Sequence, residues 1–493
     1  MADTLTFRSL GMTKAGRLAV LAAALGLGAC SGSDLTVANF NNPDVQATSR
    51  DPSAVQFAVT GVLATHRGAH PTYLRDVGIV GRELLFFQLQ DGRWVTSYLR
   101  DWRDPNSFFA GGAAGWSTRY FNRRNLFNLR TLVDSSPALS DAQRSALRGF
   151  ANTFDALEML YVIQNKDTLG APTAIAADPT EFQVFVSRDS VYRFITATLD
   201  AGQALLAGGG GSFGASLTSG FSLFNTPATM VNFNRAIKAR TEVYRGSISR
   251  LPNSGITGCG SNGVTCYGAA LTALSSLPTS WLPAVGAAVT RADLDRGALN
   301  IYSTAAGDAV NSISRAAENR LFAFPTFVSD NPTDPRVTSK TESAPPQSLA
   351  GSVSSGFRNR VYAGQDTPTP IIRAEELILL RAEASYFTGA TGNALTDINT
   401  IRTFYGLAAR GAFADDNDFI TELLTQRRLS LFFEGHRWVD VRRFGRLNTL
   451  PGGNPDNTWT PATVQVVPQA ECLVRGQAAT AQNRPELRGR GCP

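Results

Sequence analysis

Apolar residues recur at helical spacing through most of the chain after residue 50. A helix is predicted from Gln143 to about Gln164, because Phe150, Phe154 and Leu157 fall on one side of it. Ser140 lies just before this helix and is a typical N-cap residue. Similar patterns predict helices after Asp51-Pro52-Ser53, after Ser187, over Phe233–Arg245 and over Ala269–Leu277. The pattern indicates a mainly α-helical protein built from packed helix pairs, without a clean 34-residue repeat.

The strongest periodicity lies between Ile371 and Gly445, where three amphipathic helices follow one another. Gly389 and Gly392 are predicted to end the first helix, and Gly406 to end the second. The preceding polar segment at residues 329–355 contains four prolines, which oppose helix formation there. The last third of the chain is therefore predicted to be a compact helical block behind an irregular segment.

Three consecutive stretches of this block resemble the SusD/RagB family. They are LRAEA at Leu380–Ala384, INTIR at Ile398–Arg402, and RRLSLFFEGHRWVDVRRFG from Arg427 onward. A match over three elements in the same order is specific, whereas any one of them alone would be weak. The resemblance extends over nearly all of the mature chain, but it is specific only in the C-terminal third.

The resemblance implies a tetratricopeptide-like α-superhelix, right-handed and made of four helix pairs. An irregular subdomain would be inserted between the third and fourth pairs, at about residues 251–364. Residues 51–493 would then form a single SusD-like helical domain. Family members are outer-membrane lipoproteins that deliver nutrients to a TonB-dependent transporter, without catalysis and without a cofactor. The implied partner is a SusC-like barrel, and the implied cargo is a glycan or oligosaccharide, with peptides as the main alternative.

The first 29 residues have the form of an export signal. Basic residues precede an apolar stretch at residues 18–29, which is too short for a bilayer span of about 20 residues. Leu27-Gly28-Ala29-Cys30 matches a bacterial lipobox, so Cys30 is predicted to carry acyl chains and to anchor the protein. Residues 30–50 would form a polar tether at the outer membrane. The alternative is an ordinary signal peptide followed by an unrelated cysteine, and Met12 could be the true start.

Composition excludes few classes but weighs against nucleic-acid binding. The chain has 493 residues, of which 43% are hydrophobic and 17% charged, as in ordinary globular proteins. The formal net charge is +6, and the signal contributes +2, which leaves 6 − 2 = +4 on the mature chain. Because the basic residues are dispersed, they form no footprint for a nucleic acid.

Four cysteines remain once Cys30 is set aside. They are Cys259, Cys266, Cys472 and Cys492. In an exported protein, two disulfides are the natural expectation. Three pairings are possible, and proximity along the chain favours Cys259 with Cys266 and Cys472 with Cys492. A metal site is the alternative, but none of the three histidines is near these cysteines in the sequence, so no metal site is predicted.

A hydrolase would need two positioned carboxyl groups, and the sequence offers three candidate pairs. They are Glu375 with Glu376, Asp415 with Asp416, and Glu434 with Asp440. The first two pairs stand at predicted helix N-termini, where acids favour the helix dipole. Glu434, Arg437, Asp440 and Arg443 recur every three residues, which predicts an ion-pair ladder along a helix. Each carboxylate therefore has a structural explanation.

His436 is the one histidine in a suggestive context, Glu434-Gly435-His436-Arg437-Trp438. It has no HExxH pattern around it, and the chain shows no GxSxG nucleophile motif. Gly435 is better interpreted as a break between two helices, with His436 and Trp438 packed at the junction. No catalytic residue is predicted.

Sugar binding without catalysis would use aromatic faces together with polar side chains on loops. The candidates are Asp91, Arg93, Trp94, Tyr98, Trp102 and Asn106 near the N-terminus, and Trp281 and Tyr302 in the predicted insert. Trp94, Tyr98 and Trp102 are spaced by four, however, which is one helical stripe and more often a core feature. The aromatic residues could therefore be either ligand contacts or core.

These observations predict a surface lipoprotein that captures a nutrient and passes it to a barrel transporter. Two alternatives from other classes stay open. One is a lipid-anchored glycan hydrolase, which turnover of a glycan would reveal. The other is a helical-repeat scaffold for envelope proteins, which would bind no small molecule.

Overall fold

Helices make up most of the structure, a computed structural model that describes residues 53–100 and 115–478. The α-helices are α1 (Ala54–Val80), α2 (Ser117–Ser135), α3 (Asp141–Lys166), α4 (Arg188–Ala207), α5 (Pro227–Ser249), α6 (Val264–Ser275), α7 (Arg291–Asp295), α8 (Pro325–Ser329), α9 (Pro335–Lys340), α10 (Ala374–Phe387), α11 (Thr391–Phe404), α12 (Asp416–Ser430), α13 (Arg437–Arg443) and α14 (Gln469–Ala478). The strands are β1 (Leu84–Phe86), β2 (Gly297–Asn300), β3 (Leu321–Ala323), β4 (Thr341–Gln347), β5 (Ser355–Asn359) and β6 (Thr369–Arg373). The predicted mainly α fold is confirmed.

The long helices pack in chain order, each on the one before it, from α1 to α6. After α6 the chain makes two small sheets, and α10 then packs back against both α5 and α6. Helices α10 and α11 form the last pair, so the series α1/α2, α3/α4, α5/α6 and α10/α11 matches the expected superhelix of pairs. Helix α6 lies within the residue range predicted for the insert, whereas the sheets gather mainly between α6 and α10.

Helix α3 is the central element of the core and follows the sequence prediction closely. Ser140 caps it in a complete capping box, in which Gln143 N–H donates to Ser140 Oγ and Gln143 Oε1 accepts from Ser140 N–H. The side chains of Phe150 and Phe154 are fully buried, and their ring centroids lie 4.6 Å apart. Phe154 also packs against His66 of α1 and Phe233 of α5, so the apolar stripe read from the sequence faces these two helices.

Two predictions are wrong, one on a helix end in the C-terminal block and one on the absence of helix in the polar segment before it. Gly389 ends α10 with φ +89°, but Gly392 lies inside the first turn of α11. In the polar segment at residues 329–355, Pro335 occupies the first turn of the short helix α9, where its missing N–H needs no partner. Proline opposes the interior of a helix rather than its first turn, which explains the difference.

The sheets join the N-terminal helix to the chain between α6 and α10. Strand β1 follows α1 directly and pairs antiparallel with β3, in a four-stranded sheet of order β1-β3-β5-β4. Strands β2 and β6 form a separate antiparallel pair, with Gly297 opposite Arg373. Because β6 leads straight into α10, this pair fixes the start of the last helix pair.

The junction before α13 has the predicted break. Gly435 adopts φ +81°, a left-handed conformation that favours glycine, and its Cα faces Leu74 and Tyr73 of α1. His436 Nδ1 lies 3.4 Å from the Tyr244 hydroxyl, and the indole N–H of Trp438 donates to Ala462 O at 2.8 Å. His436 and Trp438 thus pack and hydrogen-bond at the junction, as expected.

The ion-pair ladder predicted along α13 is wrong at its N-terminal end. Because Gly435 breaks the helix, Glu434 lies outside α13 and accepts from Nη2 of Arg373 at 2.7 Å instead. The last rung does form, since Asp440 accepts from Nε of Arg443 at 3.0 Å. The break redirects Glu434 to β6 and so ties two elements together.

Glu83 is a buried carboxyl group between α1 and β1. One oxygen accepts from the backbone N–H of Phe433 at 3.4 Å, and the other has no hydrogen-bond partner among the described residues. Burial raises the pKa of Glu83 from 4.5 to about 8, with Arg437 opposing the shift. The folded protein therefore holds this proton at neutral pH.

Glu83→Gln is expected to remove a pH dependence of stability. Between pH 4.5 and about 8 the folded state binds the Glu83 proton and the unfolded state releases it, so stability falls as pH rises. The slope is at most about 1.4 kcal/mol per pH unit. The amide mimics the neutral acid, so the free energy of unfolding of the variant, relative to that of the wild type, should be higher at pH 8 than at pH 5. Urea unfolding across this range measures the difference, with exposed Glu181→Gln as the control. Parallel curves for Glu83→Gln and wild type would contradict the prediction.

One of the two predicted disulfides lies wholly within the described residues. Cys259 and Cys266 form a disulfide with their Cα atoms 4.7 Å apart, which closes the loop before α6. Cys472 is also disulfide-bonded, while its expected partner Cys492 lies outside the described residues.

The export signal, Cys30 and the tether at residues 30–50 also lie outside the described residues. Within residues 53–100 and 115–478, no helix combines the length and apolarity needed to cross a bilayer.

Candidate functional site

The predicted aromatic stripe near the N-terminus packs inward. Trp94 and Tyr98 lie on a π-helical segment, Trp94–Arg100, and are only 6% and 2% exposed. The Trp94 ring meets Phe86 edge-on at 4.4 Å, and the Arg75 guanidinium lies 4.7 Å from its centre. Burial raises the pKa of the Tyr98 hydroxyl, and neighbouring Asp76 raises it further. Trp94 and Tyr98 are therefore core residues in this structure, which is one of the two interpretations that their spacing allowed.

Asp91 and Arg93 are the polar candidates at the start of that segment. Arg93 donates from Nε and Nη2 to the two carboxylate oxygens of Asp91, each at 2.8 Å. The Arg93 side chain is about half exposed, at 49%. A guanidinium held flat by a carboxylate offers an oriented planar surface to a ligand. Trp102 and Asn106, the next two candidates, lie outside the described residues.

The two candidates from the predicted insert are also buried. The Trp281 indole N–H donates to Arg296 O at 2.9 Å, and its ring packs on Phe224 at 4.8 Å. The Tyr302 hydroxyl lies 3.0 Å from Thr369 Oγ1, which ties it to β6. Each of these rings is less than 5% exposed, so neither offers a free face to a sugar.

A groove of about 510 Å³ lies between α11 and the loop before α7. Its lining is uncharged: Gly286, Ala287, Ala288, Val289, Thr396, Asn399, Thr400, Thr403 and Phe404. We call this surface the threonine groove. Sequence reasoning missed it, although Thr396, Thr400 and Thr403 stand at the i, i+4, i+7 spacing of one helix face.

Arg381, the arginine of the LRAEA motif, positions both walls of the threonine groove. It donates from Nε and Nη2 to the two oxygens of Asp397 on α11, each at 2.8 Å. Its Nη1 donates to Pro283 O in the loop at 2.7 Å. Gly286 in that loop has φ +78°, and a Cβ there would lie 3.3 Å from Thr396 Cγ2. The loop is therefore held close against α11.

The hydroxyl groups of the threonine groove are oriented by the helix itself. Thr396, Thr400 and Thr403 donate to the carbonyls four residues earlier, at 2.9, 3.0 and 2.7 Å. Each hydroxyl has its single proton committed, so its lone pairs remain as acceptors. Methyl groups and the half-buried Phe404 ring supply apolar surface between them. The groove thus suits a ligand that brings hydroxyl donors and C–H faces.

The candidate catalytic carboxylates are engaged in ion pairs. Burial would raise the pKa of Glu375, but Arg373 and Lys340 outweigh it and hold that pKa at about 2. Glu376 accepts from Nε of Arg240 at 2.7 Å. An acid catalyst needs a raised pKa, and Glu375 has the opposite shift.

Asp440 and Asp415 also have structural partners. Burial would raise the pKa of Asp440, but Arg427 and Arg443 lower it below its ordinary value. Asp415 caps α12 by accepting from the backbone N–H of Asp418 at 2.9 Å. Among the described residues no group of three or more His, Cys, Asp and Glu side chains is arranged to hold a metal ion.

Comparison with known proteins agrees with this architecture. Residues 344–489 match the SusD family. A SusD superfamily protein from Bacteroides vulgatus shares the fold with a TM-score of 0.63 at 16% identity, over 87% of this chain and 98% of that one. Surface glycan-binding protein A from Bacteroides uniformis gives 0.59 at 15% identity, over 87% and 98%. A laminarin-binding SusD-like protein gives 0.51 at 15% identity, over 79% and 91%.

At identities this low, the solved structures establish the fold. Proteins with curated descriptions yield no significant match. The family match covers the block that carries α10 to α13, and the fold similarity extends over most of the remaining chain. Residues 344–489 thus carry the sequence pattern of the SusD family, and most of the chain shares the fold of solved SusD superfamily proteins.

Proposed function

We propose that this protein captures glycans or oligosaccharides at the bacterial surface and does not cleave them. The observation that carries the proposal is the SusD family match at residues 344–489. Two proteins of the same fold are described as a laminarin-binding protein and a surface glycan-binding protein, which supports a sugar ligand here. The paired state of the candidate carboxylates supports capture rather than hydrolysis.

Within the proposal, the threonine groove is the sugar-binding site. A pyranose ring carries hydroxyl donors around its edge and apolar C–H patches on its faces. The groove offers hydroxyl acceptors from Thr396, Thr400 and Thr403 and an apolar surface at Phe404. Because the lining carries no charge, recognition would depend on hydrogen bonds and shape. Asp91, Arg93, Trp102 and Asn106 are retained as proposed ligand contacts.

A glycan array followed by isothermal titration with the best ligand tests the proposal. Thr400→Arg should fill the groove and weaken binding at least tenfold, if the ligand lies there. Trp102→Ala should do so if the ligand instead contacts the candidates predicted near the N-terminus. Thr272→Arg is a matched control, since Thr272 is exposed on α6. Absence of binding to any glycan would refute glycan capture, and release of reducing ends from a bound glycan would favour the hydrolase.

The same proposal includes a lipid anchor and a transporter partner. Acylated Cys30 would hold the body at the outer membrane, and a TonB-dependent barrel would receive the cargo. This protein would then need no cofactor, because import energy would reach the barrel from the inner membrane. Mass spectrometry of the mature N-terminus tests acylation, and gentle detergent extraction tests copurification of a barrel. An unacylated terminus with no barrel would contradict this part.

A further inference from the structure

A second, smaller cavity lies where α3 ends and α4, α5 and α13 meet. Its volume is about 250 Å³. Apolar residues such as Ile248, Leu251 and Val439 form part of its wall. Three arginines and one aspartate also line it: Arg188, Arg442, Arg443 and Asp167. We call it the arginine pocket.

Two of these arginines share one carboxylate. Arg188 donates from Nη1 to Asp167 Oδ1 at 2.7 Å, and Arg442 Nε lies 3.6 Å from Asp167 Oδ2. The other Nη groups bind backbone carbonyls of Ser254, Thr463 and Gln164, which carry no net charge. Both arginines are only 9% exposed. Two buried cations therefore face a single buried anion.

The other charged groups around the pocket do not neutralise the second of these two arginines. Arg443 is satisfied by Glu383 and Asp440, and Asp440 also pairs with Arg427, so these four groups balance. Asp189 on α4 pairs with the exposed Arg193 at 3.2 Å. The remainder is Arg188 and Arg442 against Asp167, which is 2 − 1 = +1. A guanidinium stays protonated when buried, so this charge cannot be lost by titration.

Three further features belong to residues that line the arginine pocket. Nε of Arg188 has no hydrogen-bond partner within residues 53–100 and 115–478, although it is buried. Tyr192, one turn along α4, also lines the pocket, and both its burial and the nearby Asp167 raise its pKa, which keeps its hydroxyl protonated as a donor. Asp167 itself adopts φ +42°, a strained conformation for a non-glycine residue. Donors with spare capacity and an excess positive charge face the same small volume.

We propose that the arginine pocket binds a small oxyanion, a carboxylate or sulfate group, through Arg188 Nε and the Tyr192 hydroxyl. Charge-assisted hydrogen bonds of this kind are short and strong, and Arg is the side chain best suited to them. The anion would neutralise the buried excess charge. This site is separate from the threonine groove, so its existence does not depend on glycan capture.

Titration of the purified protein with sodium sulfate and with sodium glucuronate, at constant ionic strength, tests the proposal. We expect one saturable site and a rise in the thermal midpoint, since an anion that binds only the folded state stabilises it. Arg188→Gln should weaken binding at least tenfold, and Tyr192→Phe several-fold. Arg193→Gln is the matched control on the same helix, because its side chain is 61% exposed, and it should bind within twofold of wild type.

The two probes distinguish the sources of the anion. Glucuronate binding at least tenfold tighter than sulfate would identify a sugar acid as the ligand class, and comparable binding would identify a free inorganic oxyanion. In crystals soaked with selenate, an anomalous peak should lie within hydrogen-bond distance of Arg188 Nε. No saturable binding by either probe, a peak elsewhere, or unchanged binding by Tyr192→Phe would overturn the proposal. The last measurement decides the matter even if Arg188→Gln does not fold.

Discussion

Arg443→Met is expected to lower the free energy of unfolding by about 3–5 kcal/mol, because it leaves buried Glu383 without its cation and removes one of the two arginines that pair with buried Asp440. Arg443 is 1% exposed and donates through both Nη groups to Glu383, with Nη2 to Oε2 at 2.7 Å. Its Nε donates to Asp440, as described above. These bonds connect α13 to the LRAEA helix α10. Their removal would therefore weaken the packing of α13 against the last helix pair.

Urea unfolding monitored by circular dichroism measures the effect. Arg193→Met is the control, since the Arg193 side chain is 61% exposed and its pair with Asp189 should contribute less than about 1 kcal/mol. Combining Arg443→Met with Glu383→Gln should recover part of the loss, because the variant then buries one carboxylate fewer. If Arg443→Met were no more destabilising than the control, the buried network would not stabilise the junction.

Trp438→Ala should destabilise the protein by about 3–5 kcal/mol through the cavity it leaves. Trp438 is 1% exposed, and the Arg442 guanidinium lies 4.3 Å from its ring centre. The neighbouring Gly81 is so close that a Cβ there would lie 3.1 Å from Trp438 Cβ. The start of α13 therefore packs tightly against the end of α1 at Trp438.

Trp438→Phe separates packing from hydrogen bonding at the same position. It keeps an aromatic ring but loses the donor to Ala462 O, so a loss of about 1–2 kcal/mol is expected. Hydrogen exchange by mass spectrometry should show faster exchange around residues 460–466 in both variants, while thermal unfolding should be strongly affected only in Trp438→Ala. Equal midpoints for the two variants would contradict the assignment of the larger share to packing.

The sequence shows the spacing of the charged and aromatic residues around α13, but it does not show which residues they contact. Spacing alone suggested that Glu434 would pair along its own helix. The left-handed Gly435 rotates Glu434 out of the helix and toward Arg373, sixty-one residues away in sequence. Local periodicity cannot show such a pairing, because it depends on how β6 and α13 meet.

The candidate site shows the same division. Four-residue spacing correctly placed Trp94 and Tyr98 on one helical face, but only packing decided that the face turns toward Phe86 and Arg75. The threonine groove went unnoticed because threonine at helical spacing is common on solvent-exposed faces. Its concavity arises from Arg381, which holds a loop from before α7 against α11.

The sequence by itself determined the helical class, the helix starts after Ser53, Ser140 and Ser187, the breaks at Gly406 and Gly435, and the family resemblance of the C-terminal block. These features depend on local periodicity, caps and φ preferences, which a short stretch of chain carries in full. Only the tertiary structure decided which aromatic rings are buried, where Glu434 finds its cation, and that Arg188 and Arg442 share one aspartate. Those outcomes depend on contacts between residues far apart in the chain, where burial and charge balance are set by the whole assembly of helices.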